Sequence, residues 1–84
     1  MIRIRYFAHL RETLGTADEQ LAPVPEIATV ADLVAHLRAR GGVWAQALVP
    51  GERLMVAVNQ ELARPETRVR DADEVALFPP VTGG

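Results

Sequence analysis

The chain contains no cysteine. That excludes a disulfide, a thiol nucleophile and a thiolate metal site. It contains no lysine either, since all nine basic residues are arginine. No side-chain amine is therefore present to form a Schiff base or to accept an isopeptide bond. Aromatic residues are scarce at 5%. No apolar run approaches the ~20 residues that span a bilayer, and the mean hydropathy is +0.06. Met1-Ile2-Arg3-Ile4-Arg5 alternates apolar and basic residues. A signal peptide needs a continuous apolar stretch, so a cytoplasmic protein with no membrane partner is expected. Charge of one sign is also lacking: the net charge is −2. Nucleic-acid binding calls for a concentrated basic surface, and none is expected here.

What is present is an ordinary globular composition, 49% hydrophobic and 24% charged. A length of 84 residues allows one domain. A chain of this size buries roughly 60% of its unfolded surface. That suffices for one modest core and not for a deep pocket, so no stably bound cofactor is expected.

Residues 1–7 alternate strictly, with Ile2, Ile4 and Tyr6 on one face and Arg3, Arg5 and Phe7 on the other. This is the pattern of a half-buried strand. Leu10 and Leu14 are at helical spacing, and Gly15 stops that short segment. Residues 18–24 read as a second strand paired to the first, closed by Pro23 and Pro25. The strongest helix covers 30–40. Thr29 caps it with Asp32 at N3, and Val30, Leu33, Val34 and Leu37 form the apolar stripe. Gly41-Gly42 ends it, and residues 43–49 form a further helical turn before Pro50-Gly51. Residues 54–58 are a strand with Leu54, Val56 and Val58 on one face. Asn59-Gln60-Glu61 is a turn, and Leu62 begins a short strand. Residues 74–78 form the last strand, with Val75 and Leu77 facing the core, and Pro79-Pro80 ends it.

One amphipathic helix with one sheet to cover is a two-layer α+β arrangement. The simplest closure of this element order is a β-grasp, the ubiquitin-like roll. It has a mixed sheet of four to five strands, with the first and last side by side in the middle. Residues 1–84 then form one domain, with 79–84 as an extended C-terminal tail. Gly83 and Gly84 lack Cβ, so that tail can enter a narrow channel. The Gly84 carboxylate is the one group suited to activation as an acyl donor.

The chain resembles the small subunits of molybdopterin synthase, the MoaD type of ubiquitin-like sulfur carrier. The resemblance runs over essentially its whole length. It is carried by Ile2 to Phe7 with Ala8-His9-Leu10-Arg11-Glu12, by Val56-Ala57-Val58-Asn59-Gln60, and most specifically by Asp73 to Gly84. One departure is Leu77, where that family often has a second Phe. The resemblance implies that an activating enzyme uses ATP to adenylate Gly84. Sulfur then displaces AMP to leave a thiocarboxylate. The tail, ending in Gly83-Gly84, enters the large synthase subunit and gives sulfur to cyclic pyranopterin monophosphate, forming molybdopterin. It further implies a heterotetramer of two small and two large subunits, with catalytic side chains on the partners. Phe7, Leu62, Phe78, Pro79, Pro80, Val81 and Thr82 are the implied partner-binding residues. Carriers for thiamine synthesis or tRNA thiolation, and ubiquitin-like protein modifiers, share the Gly-Gly ending and are the alternatives.

Parity gives an independent pointer. Phe7 and Phe78 each end a strand on the face opposite its core residues. If the strands are adjacent and parallel, both rings lie at the root of the tail, where exposed aromatics suggest a binding patch. His9 and His36 are single, without metal-ligand spacing, and read as solvated. Asp71, Asp73 and Glu74 read as a solvated turn, Trp44 as core packing and Arg11 as a surface residue. No metal site is expected.

Overall fold

The computed structural model of the chain describes residues 1–48 and 54–79. Strand β1 (Ile2–Tyr6) alternates buried and exposed residues without a break. It leads through Phe7 into helix α1 (Ala8–Leu14), which buries Leu10 and Leu14. Gly15 ends α1 at φ 74°, and its N–H donates to the Arg11 carbonyl at 3.0 Å. This left-handed C-cap suits a residue without Cβ. Strand β2 (Asp18–Leu21) pairs antiparallel with β1. It stops short of the expected residue 24, because Pro23 and Pro25 have no N–H for the ladder.

Helix α2 (Val30–Arg38) opens with a complete capping box. The Asp32 N–H donates to Thr29 Oγ1 at 3.2 Å. Asp32 Oδ2 accepts from the N–H groups of Ala28 and Thr29 at 3.0 and 3.1 Å. These bonds, led by that from Ala28, hold the Asp32 carboxyl below its ordinary pKa. The helix ends two residues before the expected position 40. Gly41 and Gly42 follow at φ 77° and 55°, where a helix cannot continue. Helix α3 (Val43–Ala47) is the expected further turn. The part of that expectation at residue 49, with Pro50-Gly51, lies outside the described residues.

Strand β3 (Met55–Val58) and the two-residue strand β4 (Glu61–Leu62) form a hairpin. Its loop is Asn59-Gln60, at φ 50° and 72°. Two consecutive positive φ values describe a type I′ turn, whose twist matches the strands. Strand β5 (Glu74–Phe78) completes a sheet ordered β2-β1-β5-β3-β4. The pair β1/β5 is parallel and the other three pairs are antiparallel. The fold is thus the expected α+β mixed sheet with helices packed on it.

The core gathers on one sheet face. It joins Ile2, Ile4, Tyr6, Val56, Val75 and Leu77 to Leu10, Leu14, Val30, Leu33, Leu37 and Leu48. Ile27 and Val69 also enter it, from segments without periodic pattern. The chain between β4 and β5 is tied to the start of α2. The Val30 and Ala31 N–H groups donate to the Thr67 and Pro65 carbonyls, both at 2.9 Å, and Val69 N–H donates to Ala28. No helix among the described residues is long and apolar enough to cross a membrane.

Candidate functional site: the outer sheet face

The alternation that buries Ile4, Tyr6, Val75 and Leu77 turns their neighbours outward. In the parallel register Tyr6 stands beside Leu77, and the Phe7 N–H donates to the Leu77 carbonyl at 3.1 Å. Phe7 and Phe78 therefore end adjacent strands at one end of the sheet, as parity predicts. Phe7 is 37% exposed and Phe78 is half-buried. Phe78 is the more covered because β5 is central, with β1 on one side and Met55 of β3 opposite it on the other. The two rings do not stack on each other; the aromatic pair in contact among the described residues is Tyr6–Trp44.

The same face continues across β3 to the edge. Ala76 stands opposite Ala57, and Ala57 opposite Leu62. Leu62 is 71% exposed, a high value for a large aliphatic side chain. It lies three strands from β1, roughly 14 Å at the usual strand spacing. The face is apolar from Phe7 through Phe78, Met55 and Ala57 to Leu62. Met55 and Ala57 are members that sequence reading missed. The signal was available, because the strand that turns Val56 and Val58 inward turns them outward.

Beside this apolar half lies a polar one, with Arg3, Arg5 and Glu74 on the central strands and Asp18 and Gln20 on β2. The Arg5 guanidinium carbon sits 5.2 Å from the Phe7 ring centroid. Immediately after Phe7, Ala8 has φ 55°. That conformation is uncommon for a residue with a Cβ and turns the chain sharply from sheet to helix. Pro79 is half-buried at the start of the tail. Pro80, Val81, Thr82, Gly83 and Gly84 lie outside the described residues.

The opposite side of β1 is committed to stability. Tyr6 is 1% exposed and meets Trp44 edge-on, with centroids 5.6 Å apart. Arg40 lies over Trp44 at 4.4 Å. It also grips Glu19 through two hydrogen bonds, at 2.7 and 3.1 Å. The Tyr6 hydroxyl lies near Glu19 without reaching hydrogen-bond geometry with it or with another described group. Burial, followed by the Glu19 charge, raises its pKa well above the ordinary value.

The remaining sequence candidates stand apart from this face. His9 and His36 are exposed. Asp73 accepts hydrogen bonds from Asn59 Nδ2 and the Arg70 N–H, and so shapes its own turn. Asp71 forms an ion pair with the Met1 ammonium, which holds its carboxyl below the usual range. Among the described residues no three His, Cys, Asp or Glu side chains converge as a metal site. The outer face carries an apolar half and a mixed-charge half, with the Arg5 cation where the two meet. It can bury area against a partner and pair with its carboxylates.

Comparison with known proteins adds to this geometry. The chain is 47% identical over 85 residues to the molybdopterin synthase sulfur carrier subunit of Escherichia coli K12, covering all of both chains. It is 43% identical over 84 residues to the protein of the same name from Haemophilus influenzae, again covering all of both. Among solved structures, the H. volcanii small archaeal modifier protein 1 superposes with a TM-score of 0.79 at 27% identity, covering 95% of this chain and 97% of that one. A complex of subunits 1 and 2 of the molybdopterin-converting factor from Helicobacter pylori includes a chain of the same fold. There the TM-score is 0.65 at 21% identity, covering 99% of this chain and 97% of that one. The ThiS family matches residues 4–84, and with relatives this similar over their full length the chain belongs to it.

Proposed function

We propose that the chain is the sulfur carrier subunit of a molybdopterin synthase. The observation that carries this reading is its full-length identity of 47% to a relative bearing that name. The Phe78-Pro79-Pro80-Val81-Thr82-Gly83-Gly84 ending supports it. In this reading an activating enzyme joins the Gly84 carboxylate to AMP with release of pyrophosphate. Sulfur at the sulfide level then displaces AMP, and the product is a C-terminal thiocarboxylate. The carrier docks on the large synthase subunit through its outer sheet face, in a heterotetramer of two small and two large subunits. Its tail delivers sulfur to cyclic pyranopterin monophosphate. A cytoplasmic location fits this chemistry.

The chain's own contribution is mechanical. Without Cys, sulfur has no side chain to ride on, so the terminus is the carrier. The sheet anchors the tail root beside the docking face. The likeness to a protein named as a modifier supports a second reading, conjugation of Gly84 to other proteins.

Intact mass decides among these. The chain is incubated with ATP, a sulfur source and the activating enzyme. A gain of about 16 Da at the C-terminus, oxygen replaced by sulfur, is expected from acyl activation. No gain, together with full activity after deletion of Gly84, overturns sulfur carriage. Gains of whole-protein size point to conjugation instead.

A further inference from the structure

Arg5 makes an unexpected choice of neighbour. In the antiparallel register it stands directly opposite Asp18, on the same face. Such a cross-strand pair of opposite charge is a ready ion pair. No Arg5–Asp18 ion pair forms, and among the described residues Arg5 has no other carboxylate partner. The guanidinium instead lies over Phe7, at 5.2 Å from the centroid. Its other register neighbour is Ala76, which offers no acceptor side chain. The result is an exposed cation held against the exposed ring at the edge of the apolar face, with its N–H donors uncommitted among the described residues.

We infer that Arg5 is a specificity-determining residue of the docking face, and that it pairs with an Asp or Glu carboxylate at the rim of the partner's apolar surface. The inference rests on the reading that the outer sheet face meets the large synthase subunit. Two roles combine in one side chain. Over the ring, the guanidinium limits the positions Phe7 can take, which lowers the entropy cost of docking. Its planar fork then offers paired donors that match a carboxylate. Arginine is enriched at interface centres for this combination of stacking and forked donation. The partner this face fits is a protein surface with an apolar centre and an acidic rim. A partner edged by Lys or Arg beside Phe7 would be rejected by like charge.

The test titrates the full chain with the large molybdopterin synthase subunit from the same genome. Wild type, Arg5→Ala, Arg5→Lys, Arg5→Glu and Phe7→Ala are compared at low and high salt, about 50 and 500 mM. Arg5 is exposed, and the thermal midpoints of its variants are expected to stay close to wild type. Arg5→Ala is expected to raise Kd about ten-fold at low salt and by clearly less at high salt, where the lost pair is already screened. Arg5→Glu is expected to weaken binding further, and Arg5→Lys to recover part of the loss. Wild-type affinity for Arg5→Ala and Arg5→Glu, with Phe7→Ala weakened, overturns the role of Arg5 and leaves the docking face standing. An Arg5→Ala loss that is equal at both salt concentrations overturns the carboxylate. Wild-type affinity for Phe7→Ala as well overturns the docking face and this inference with it. Sulfur loading of Gly84, read separately by intact mass, distinguishes that failure from failure of the carrier function.

Discussion

Replacing Phe7 with alanine is expected to weaken binding to the large synthase subunit about thirty-fold while the domain stays folded. Phe7 is 37% exposed. For a residue of about 200 Å² this leaves roughly 75 Å² in water before docking. Complete burial at 25–30 cal/mol per Å² contributes about 2 kcal/mol, and alanine forfeits most of it. Two kcal/mol corresponds to about a thirty-fold change in Kd. The Arg5 guanidinium lies over the ring and part of the side chain is already covered, so truncation costs about 1–2 kcal/mol of stability. The preceding residue supplies the contrast. Tyr6 is 1% exposed and packs on Trp44, and Tyr6→Ala is expected to cost about 3–5 kcal/mol. The assay is calorimetric titration of each variant, with urea denaturation run alongside. A folded Phe7→Ala chain whose Kd stays within about threefold of wild type refutes the reasoning, because the exposed area would then lie outside the interface.

Other expectations follow from single contacts. Tyr6→Phe removes a buried hydroxyl that lacks a partner. It is expected to be neutral or to stabilise by up to about 1 kcal/mol, and a loss above that in urea denaturation contradicts the geometry. The Tyr6 pKa is raised in the fold, so its contribution is full below the unfolded value near 10 and falls as pH rises beyond it. Wild type is therefore expected to lose stability above about pH 10 faster than Tyr6→Phe. Thr29→Ala breaks the α2 capping box and is expected to cost about 1 kcal/mol. The Asp32 pKa is lowered, so its contribution is present above the ordinary value of 3.8 and is lost as pH falls through the folded value. Stability curves of wild type and Asp32→Asn are expected to converge in acid. Ala8→Gly relieves a positive φ and is expected to be neutral or mildly stabilising, whereas Ala8→Val destabilises by about 1–2 kcal/mol in thermal melts.

Periodic segments were legible and isolated residues were not. The alternation Ile2-Ile4-Tyr6 and the stripe Val30-Leu33-Val34-Leu37 announce their buried faces; all but Val34 are buried core, and Val34 packs against it partly buried. Ile27 and Val69 are equally buried, but neither belongs to a periodic apolar pattern: Ile27 follows Pro25-Glu26, and Val69 is flanked by Arg68 and Arg70. Their burial comes from the tie between the β4–β5 connection and the start of α2, a contact between distant segments that no local pattern encodes. The site divides in the same way. Phe7 and Phe78 followed from parity together with a parallel pairing. Leu62 came from family resemblance alone, because a two-residue strand is too short to show alternation. The Arg40–Glu19 grip and the Arg5–Phe7 contact depend on which of several reachable partners a long side chain selects, and sequence spacing does not decide that.

In the proposed carrier reading, the parallel pairing of β1 with β5 is what suits this small domain to presenting its terminus. In a parallel pair the C-terminal ends lie together: Tyr6, the last residue of β1, stands beside Leu77, so Phe7 and Phe78 follow at the same end of the sheet. Antiparallel neighbours would place Phe7 and the tail root at opposite ends of the sheet. Here the Phe7 ring and the start of the tail share one register, fixed by Ile4 beside Val75 and Tyr6 beside Leu77, all four fully or almost fully buried. A slip of one residue would expose Val75 and Leu77 and turn Phe78 into the core, a reversal that the buried face opposes. Core packing on one side of β5 thus sets the position of the exposed apolar face on the other. A partner that grips the outer face receives the start of the tail at a defined distance and direction, without any contact to the residues beyond it.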